Sequence, residues 1–258
     1  MKWRPTATIE ILKQRAIIIA KIRQFFAERD VLEVETPLLS GATVTDLNLR
    51  GFETTFQLPG VSDCLGNRKY LQTSPEFAMK RLLAAGSEAI FQICKSFRNE
   101  ESGRYHNPEF TMLEWYRPGF DHFQLMQEIS TLMIQVLGCD ATEKMTYQYA
   151  FQKHTGCDPF IADVAKLKSL DVTKRLHADW LGAETCKDTI LQFLFGELVE
   201  PEIGQVTPCF IYDFPASQAS LARICDSNPN VAERFELYYK GVELANGFHE
   251  LCDAGEQR

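Results

Sequence analysis

The sequence lacks cysteine pairs at metal-binding spacing, and its eight cysteines are scattered over 258 residues. No CxxC or related pattern occurs, so the sequence does not predict a zinc site. Hydrophobic residues make up 45% of the chain, which is enough for one large domain or two small ones without disulfides. We therefore expect reduced, mostly structural thiols and a cytoplasmic location.

Long apolar runs, internal repeats and low-complexity tracts are also missing. The longest apolar run, Ala16 to Ala20, lies between Arg15 and Lys21 and is too short to span a bilayer. The first residues, Met1 to Pro5, lack the apolar region of a signal peptide. The sequence therefore predicts a protein that does not bind a membrane.

Basic residues are fewer than acidic ones. Lys and Arg total 27, Asp and Glu total 35, and the formal net charge is −8. A protein whose main task is to coat nucleic acid needs a basic face. The composition disfavours that class, although it is compatible with a local basic pocket.

The stretch from Phe97 to Tyr116 combines residue types that suit ligand binding. Its second half alternates as a strand does, which places four side chains on one face: Phe110, Met112, Glu114 and Tyr116. The first half ends a β-rich run, Ala89 to Cys94, and carries Arg98 and Glu100. The polar segment 101–108 suits a loop. We predict two antiparallel strands joined by this connector.

These side chains suit a ligand that is anionic and planar. Arg98 can bind a phosphate through a forked pair of hydrogen bonds, and Phe110 can stack on a nucleobase. Glu100 can accept a hydrogen bond from an exocyclic amine. We expect Glu114 to be half-buried, and a buried carboxylate needs a partner such as a ligand ammonium.

The alternative for this stretch is an ordinary amphipathic hairpin whose charged side chains face water. A single strand would favour that interpretation. His106 and Asn107 add two further ligand-binding residue types to the same segment, so the stretch as a whole favours a binding site.

A helix followed by a short strand is predicted near the N-terminus. Apolar residues at helical spacing predict a helix from Ile9 to Arg29 with Thr8 as its N-cap. The alternating segment Val31 to Pro37 predicts a strand that the proline ends. Both can belong to a plain core or to a dimer interface, and the sequence alone does not choose. Further periodic segments predict helices at 122–137 and 185–198 and a strand at 210–215.

A strand-to-helix corner is predicted at Ser74, Pro75 and Glu76. The segment 70–73 forms the strand, Ser74 is the N-cap, and Pro75 fits the first position of a helix that continues over 77–85. Glu76 can face a ligand at this corner. Its place in the first turn is also explained by the helix dipole, which is the favoured interpretation.

The second informative stretch runs from Ala232 to Leu251. Lys240-Gly241 is typical of a two-residue hairpin turn, and this turn pairs Glu243 with Tyr238. Glu236 then lies diagonally on the same face. Two carboxylates on one face repel each other, and Mg²⁺ bound by them and by substrate phosphates would resolve the repulsion. The alternative is a solvated strand face.

The residues after Glu243 predict an irregular strand. Asn246, Phe248 and Glu250 have the opposite strand parity to Glu243. All four share one face only if the strand contains a bulge. Gly247 favours such a bulge near 245–247.

Two of these segments resemble motifs of the class II aminoacyl-tRNA synthetases. Val31 to Pro37 resembles motif 1, the dimer motif that ends in proline. Phe97 to Glu100, together with His106 to Phe110, resembles motif 2 of the lysine, aspartate and asparagine subclass.

The C-terminal stretch resembles the magnesium and amino-acid site of lysyl-tRNA synthetases. Glu236 and Glu243, followed by Asn246 to Leu251, carry this resemblance. In all, the resemblance runs from Arg15 to the last residue. It implies an α+β fold, with an antiparallel β-sheet flanked by helices.

Within the family, the chain resembles stand-alone paralogues of lysyl-tRNA synthetases. Few residues precede the first helix, where an anticodon-binding OB-fold would lie, and Ser74 stands where lysyl-tRNA synthetases usually have Ala. The segments 104–107 and 214–222 are also similar to those paralogues. This resemblance implies activation of (R)-β-lysine, or lysine, with ATP and Mg²⁺. It further implies a homodimer whose acceptor is a lysine side chain of translation elongation factor P rather than tRNA.

The resemblance also implies roles for individual residues. Arg98 is the implied catalytic residue, which holds the α-phosphate and the reacting carboxylate, and Phe110 stacks on adenine. The other implied ATP contacts are Asn99, Glu100, His106, Asn107, Glu243 and Leu244. The implied amino-acid contacts are Ser74, Pro75, Glu76, Glu114, Tyr116, Asn246, Phe248 and Glu250. The implied Mg²⁺ ligands are Glu236 and Glu243.

The sequence departs from the family at its C-terminal end. Motif 3, a glycine-rich strand and helix with an ATP-binding arginine, does not occur. We therefore expect one catalytic domain over residues 1–258 that is C-terminally truncated, either as a fragment or as a short gene product. An arginine that meets transition-state charge is worth orders of magnitude in rate. The 258-residue chain alone is thus expected to show little β-lysine-dependent ATP–pyrophosphate exchange.

Two other functions stay open on the sequence. One is a non-catalytic protein that retains ATP or lysine recognition. The other is a tRNA-charging enzyme without an anticodon domain, which the net charge of −8 and the lack of an OB-fold disfavour.

Overall fold

The computed structural model describes residues 3–44, 49–57, 67–99, 102–170 and 179–257. The chain divides into two compact units, an N-terminal unit, Met1–Gly119, and a C-terminal unit, Phe120–Arg258. The single catalytic domain expected over residues 1–258 stays a prediction.

The N-terminal unit begins with the predicted helix. Thr8 caps it as expected, because its hydroxyl accepts a hydrogen bond from the backbone N of Ile11 at 3.3 Å. The strand predicted for 31–37 is shorter than expected and pairs in parallel with the strand Ile90–Phe97. The elements of this unit are α1 (Ile9–Ala27), β1 (Leu32–Glu33), β2 (Leu39–Ser40), β3 (Glu53–Phe56), β4 (Asn67–Leu71), α2 (Glu76–Ala84), β5 (Ile90–Phe97) and β6 (Glu109–Tyr116).

An aromatic contact joins α1 to the sheet that carries the predicted binding hairpin. That sheet has the order β1-β5-β6, and β2, β4 and β3 form a second sheet of the N-terminal unit. Phe25 and Phe26 near the end of α1 are fully buried. Phe26 stacks on Phe91 of β5 with 4.6 Å between ring centroids, and Trp115 of β6 lies against the same ring. These rings therefore anchor the helix to the sheet.

The predicted cap of α2 is wrong by one position. Pro75 is at the N-cap and Glu76 is the first helical residue, whereas the sequence predicted Ser74 as the cap. The Ser74 hydroxyl still accepts from the backbone N of Glu76 at 3.1 Å. It also donates to Glu114, so a partner on another element sets the position of this serine.

The C-terminal unit contains the second hairpin. The helices predicted at 122–137 and near 185–198 and the strand near 210–215 are confirmed, with small shifts of their ends. The elements are α3 (His122–Leu137), β7 (Glu143–Thr146), α4 (Tyr147–Thr155), α5 (Val164–Lys168), α6 (Lys187–Leu198), β8 (Cys209–Pro215), β9 (Ile224–Cys225), β10 (Asn228–Tyr239) and β11 (Val242–Phe248). The sheet has the order β11-β10-β8-β7, and β9 pairs with β10.

The core of the C-terminal unit lies between α4, α6 and one face of this sheet. Tyr147 of α4 stacks on Phe195 of α6 with 4.8 Å between centroids, and it also contacts the ring of Phe214 on β8. Tyr238 of β10 belongs to the same buried cluster. The face of β10 that carries Tyr238 therefore packs against helices.

The predicted α+β class is confirmed. The strand pairs are antiparallel as expected, except that β1 pairs in parallel with β5 and β7 with β8. Within the described residues, none of the helices has the length and apolar character needed to cross a membrane.

Candidate functional site

The predicted hairpin of the N-terminal unit is confirmed as β5 and β6. Its register pairs Gln92 with Glu114 and Ser96 with Phe110, and the backbone N of Arg98 donates to the carbonyl of Pro108 at 3.0 Å. Residues directly opposite each other in antiparallel strands share a face. Phe110 and Glu114 therefore lie on one face of the hairpin, as the alternation predicted.

Arg98 lies against Phe110. Its guanidinium carbon is 5.1 Å from the centroid of the ring, which is a cation–π distance. The expected phosphate-binding cation and the expected base-stacking ring are therefore neighbours. This pair is the core of a candidate nucleotide site.

The remaining implied ATP contacts of this unit lie at the connector. The backbone N of Asn99 donates to the carbonyl of Arg50 at 2.7 Å. His106 and Asn107 are exposed, and the carbonyl of His106 accepts from the backbone N of Gly103 at 3.0 Å. Glu100 lies outside the described residues, so its implied contact stays a prediction.

Ser74, Glu114 and Tyr116 form a hydrogen-bonded cluster. The Ser74 hydroxyl donates to Glu114 Oε2 at 2.6 Å, and the Tyr116 hydroxyl donates to Glu114 Oε1 at 2.8 Å. Each carboxylate oxygen thus accepts one hydrogen bond, and a carboxylate has further lone pairs for a ligand. Pro75 follows Ser74 in the sequence. It is buried and is the N-cap residue of α2.

Glu76 lies close enough to Glu114 for their charges to interact. The negative charge of Glu76 adds to the rise in the pKa of Glu114. Glu76 also accepts from Lys80 Nζ at 2.8 Å. The sequence favoured the interpretation of Glu76 as a first-turn acid beside the helix dipole. That interpretation does not account for the carboxylate of Glu114 nearby. The position of Glu76 therefore favours the ligand-binding interpretation. Sequence reasoning missed Lys80, although the spacing of four residues on a helix indicates such a pair.

Burial raises the pKa of the Glu114 carboxyl above its usual range, and the hydrogen bonds from Ser74 and Tyr116 only partly oppose this rise. In the window between the ordinary glutamate pKa and the raised value, the folded protein binds more protons than the unfolded chain. The free energy of unfolding contributed by Glu114 therefore falls as pH rises through this window.

We expect the stability of Glu114→Gln relative to the wild type to increase as the pH rises from about 4, the ordinary glutamate pKa, through the raised pKa of Glu114. The glutamine cannot ionise, so it does not contribute the fall in unfolding free energy that the wild type shows. Urea unfolding across this range measures the difference. Glu109→Gln is the matched control, because Glu109 is an exposed partner of Lys95. A difference between wild type and Glu114→Gln that does not change with pH would contradict a raised pKa.

The predicted turn of the second hairpin is confirmed. Lys240 and Gly241 both have positive φ, 53° and 70°, which is the conformation of a type I′ turn. Glu243 lies opposite Tyr238, as expected. The two strands therefore have the register that the sequence indicated next to the turn.

The expected bulge is present but lies earlier than predicted. Tyr238 pairs with Glu243 while Leu237 pairs with Ala245, so Leu244 is the additional residue and the predicted position at 245–247 is wrong. Beyond it, Glu236 pairs with Asn246. The bulge therefore places Glu243 and Asn246 on the face of Glu236. Leu244 itself is exposed.

Gly247 is placed by contact rather than by a bulge. A Cβ atom at this position would lie 2.5 Å from Cζ of Phe235, which is closer than packed atoms allow. Glycine is therefore required at position 247, because an aromatic ring occupies the space that a side chain would need.

The other two implied amino-acid contacts of this strand lie next to Gly247. Phe248 pairs with Arg234 and is half-buried, and Glu250 forms an isolated bridge with Ala222.

Glu236 already has two partners on its own strand. Its carboxylate accepts from the guanidinium of Arg234 and from the hydroxyl of Tyr238. Burial and the nearby charges of Glu236 and Glu200 raise the pKa of Tyr238, so this hydroxyl stays protonated and donates. Sequence reasoning missed Arg234, although residues two apart on a strand share a face.

Arg234 is held on several sides. Its Nη1 donates to the carbonyl of Gln218 at 2.8 Å, and its guanidinium carbon lies 4.7 Å from the ring centroid of Phe214. The side chains of Arg234 and Glu236 are only 14% and 10% exposed. This ion pair is therefore largely removed from water, where the loss of one partner is costly.

The implied Mg²⁺ ligands are compatible with the hairpin geometry. Glu236 and Glu243 lie on one face of β10 and β11, and Mg²⁺ commonly uses one or two carboxylates together with substrate phosphates. No group of three or more metal-ligating side chains was found in the part of the chain that the structure describes. The donor set therefore fits an ion that arrives with a phosphate ligand rather than a site closed by protein alone.

Comparison with known proteins adds a further finding. A family model described as class II tRNA synthetases (D, K and N) matches residues 1–258. The elongation factor P–(R)-β-lysine ligase of Pseudoalteromonas translucida is 59% identical over 255 residues, which covers 99% of this chain and 78% of that protein. The ligases of the same name from Vibrio cholerae and Salmonella arizonae are each 57% identical, with the same coverage.

Proposed function

Because the chain belongs to the class II tRNA synthetases of the D, K and N group, we propose that it activates (R)-β-lysine, or lysine, with ATP and transfers it to a lysine of translation elongation factor P. The names of its relatives supply the substrate and the acceptor. The observation that carries the proposal is the anionic pocket of the N-terminal unit. There, Ser74 and Tyr116 hold Glu114 close to Glu76, which suits an amino acid with an additional ammonium group.

The first step in this proposal is formation of an acyl-adenylate. A carboxylate oxygen of the amino acid attacks the α-phosphorus of ATP, a new P–O bond forms, and the bond to the pyrophosphate oxygen breaks. Arg98 binds the α-phosphate and the incoming carboxylate through its forked donors. Phe110 stacks on the adenine. Positioning and charge stabilisation supply the rate, and no side-chain nucleophile is required.

The pocket residues of the N-terminal unit orient the amino acid. Glu114 presents lone pairs to a ligand ammonium while Ser74 and Tyr116 fix the carboxylate in place. Glu76 supplies a second negative charge at the start of α2. A buried carboxylate that exchanges water for a ligand ammonium gains a strong, charge-assisted hydrogen bond.

Glu236 and Glu243 of the C-terminal unit are the proposed Mg²⁺ ligands, and Asn246, Phe248 and Glu250 are proposed amino-acid contacts. When bound, Mg²⁺ neutralises phosphate charge and so favours departure of pyrophosphate. In the protein without a bound metal ion, Arg234 compensates the charge of Glu236. We propose that this internal ion pair keeps the carboxylate ionised and oriented while no metal is bound.

The second step transfers the acyl group. The neutral ε-amine of the acceptor lysine attacks the carbonyl carbon of the adenylate, an amide bond forms, AMP leaves, and the amine loses a proton to solvent. We propose that this reaction takes place in the cytoplasm, where a translation factor acts, and that the enzyme is a homodimer. We infer that tRNA is not the acceptor, because the net charge is −8 and nucleic-acid partners require a basic surface.

The test compares acceptors directly. An extended chain is prepared by adding the part of the Pseudoalteromonas translucida relative that lies outside the match, in the order of that relative. We expect it to catalyse (R)-β-lysine-dependent ATP–pyrophosphate exchange and to label elongation factor P with radioactive β-lysine, because it then has the full length of a protein named as a ligase of this kind. The 258-residue chain is assayed in parallel.

The other outcomes separate the competing functions. Label on tRNA but not on elongation factor P would replace the proposal with tRNA charging. ATP binding by both chains without label on either acceptor would support a non-catalytic binding protein.

A further inference from the structure

A hydrogen bond between two side chains lies at the end of the second hairpin that is remote from its turn. The Nδ1 atom of His249 is 2.6 Å from Oε2 of Glu233, and the two side chains are 29% and 18% exposed. An ionised carboxylate only accepts, so the imidazole donates from Nδ1 to Glu233. Hydrogen bonds to an ionised carboxylate are among the stronger ones in proteins.

The pair lies where the backbone ladder of the hairpin ends. Arg234 and Phe248 are the paired residues of β10 and β11 that lie farthest from the turn. One further backbone hydrogen bond runs from the N of His249 to the carbonyl of Glu233 at 2.9 Å. Residues that face each other in antiparallel strands have their side chains on the same face. His249 and Glu233 are therefore joined both by their backbones and by their side chains.

The other edge of β10 is irregular at the same place. The pairing of β10 with β8 shifts between Ala232 and Phe235, so the two residues between them form a bulge opposite Asp213. Glu233 is the first of these two residues. A bulge interrupts the ladder and leaves a residue unpaired. The backbone at Glu233 therefore has less support from β8, and the side-chain bond to His249 strengthens its attachment to β11.

The neighbours of His249 in the sequence are proposed amino-acid contacts. Phe248 precedes it, and Glu250 follows it in an isolated bridge with Ala222. The carbonyl of His249 accepts from the backbone N of Arg223 at 2.9 Å. Successive residues of a strand point to opposite faces. His249 therefore acts on its two neighbours from the opposite face, through the backbone.

The donor also matters because a second carboxylate is close to Glu233. Burial, and then the charge of Glu233, raise the pKa of the Asp213 carboxyl. His122 at the start of α3 has its Nε2 atom 4.0 Å from Oδ1 of Asp213. Burial lowers the pKa of His122, so this imidazole is neutral at neutral pH. Loss of the His249 donor would therefore leave Glu233 less stabilised beside Asp213.

We propose that His249 and Glu233 are positioning residues: their hydrogen bond fixes the strand end that carries Phe248 and Glu250. The inference rests on the proposed function in one respect, namely that these two residues contact the amino acid. The proposed Mg²⁺ ligands lie nearer to the turn at the other end of the hairpin. Loss of the bond therefore weakens binding of the amino acid more than binding of ATP.

Hydrogen exchange of the 258-residue chain tests the structural part of this proposal without catalysis. In His249→Leu, the backbone amides of residues 246–252 should exchange faster by on the order of tenfold, because a hydrogen bond to a charged group is lost. Glu233→Met should give the same result. The double variant should be no faster than either single variant, because both changes remove one bond. Mass spectrometry of peptides from this segment measures the rates.

Kinetics of the extended chain test the effect on the substrate. In His249→Leu, the KM for (R)-β-lysine should rise by about tenfold, while kcat and the KM for ATP change by less than about twofold, which is the pattern of lost ground-state binding. His249→Asn retains an N–H donor at a similar distance from the backbone and should recover most of the affinity. Gln148→Leu is the matched control, because it removes an exposed hydrogen bond to Asp158 in the same unit. It should leave both hydrogen exchange over 246–252 and the KM unchanged.

Each result supports or overturns the proposal. Unchanged hydrogen exchange over 246–252 in both His249→Leu and Glu233→Met would overturn it, and so would faster hydrogen exchange with an unchanged KM for (R)-β-lysine. Glu233→Gln keeps the size of the side chain and repeats both measurements if the other variants do not fold. An extended wild type that does not activate β-lysine would remove the proposed function only, because hydrogen exchange in the 258-residue chain still shows whether the bond fixes the strand end.

Discussion

Arg98→Ala in the extended chain should reduce kcat/KM for ATP–pyrophosphate exchange by about 10²–10³-fold, as the loss of a single donor to transition-state charge does in other enzymes. Arg98 is the cation that lies over the Phe110 ring, 5.1 Å from its centroid, where a nucleotide phosphate and base would be bound next to each other. Exchange with saturating (R)-β-lysine and varied ATP measures the effect.

Two variants sharpen this test. Arg98→Lys keeps a positive charge but loses the forked pair of donors, so it should recover only part of the activity. Arg68→Ala is the matched control, because Arg68 on β4 is exposed and pairs with Glu53 at 3.7 Å; it should exchange like wild type. Normal exchange by Arg98→Ala would remove Arg98 from the reaction.

The second prediction with a large expected effect concerns the ion pair of Arg234 and Glu236 and the stability of the folded chain. Arg234→Met should lower the free energy of unfolding of the 258-residue chain by about 3–5 kcal/mol, because it leaves the carboxylate of Glu236 buried without its cation. The ion pair is 14% and 10% exposed, so water cannot replace the lost partner. Urea unfolding in the presence of EDTA measures the change without a metal ion that could take the place of the guanidinium.

A double-mutant cycle tests whether the effect belongs to the pair. Adding Glu236→Gln to Arg234→Met should recover much of the lost stability, since the uncompensated charge is then removed. Arg223→Met is the matched control in the same unit. Arg223 and Asp226 are 40% and 91% exposed, so this change should cost less than about 1 kcal/mol. Equal losses in Arg234→Met and the double mutant would show that the side chain acts through packing alone.

The two hairpins could be predicted from the sequence because their signals are local. Alternation over 110–116 indicated β6, and Lys240-Gly241 indicated the turn between β10 and β11. The need for a bulge was also indicated by the sequence, because Glu243 and Asn246 have opposite strand parity. Its position at Leu244 was not indicated, because Gly247 carried the only local signal and that glycine is required by the ring of Phe235 instead.

The partners of the charged residues were harder to predict. Ser74 was expected to cap a helix, and it donates to Glu114 on another element. Glu236 was expected to need a metal ion for charge compensation, and in the structure its carboxylate is paired with Arg234. The contact of Ser74 with Glu114 depends on which elements lie side by side, and sequence separation says little about that. Arg234 and Glu236 are two residues apart on one strand, so alternation could have indicated this pair.

By itself, the sequence determined the class of fold, the hairpins that carry the candidate residues and the resemblance to class II synthetases, since residue periodicity and turn preferences act over a few neighbouring positions. Only the tertiary structure decided which carboxylates are buried. The surroundings of Glu114 depend on segments far apart in the chain, because Ser74, which donates to it, is 40 positions away, and burial raises the pKa of this carboxyl.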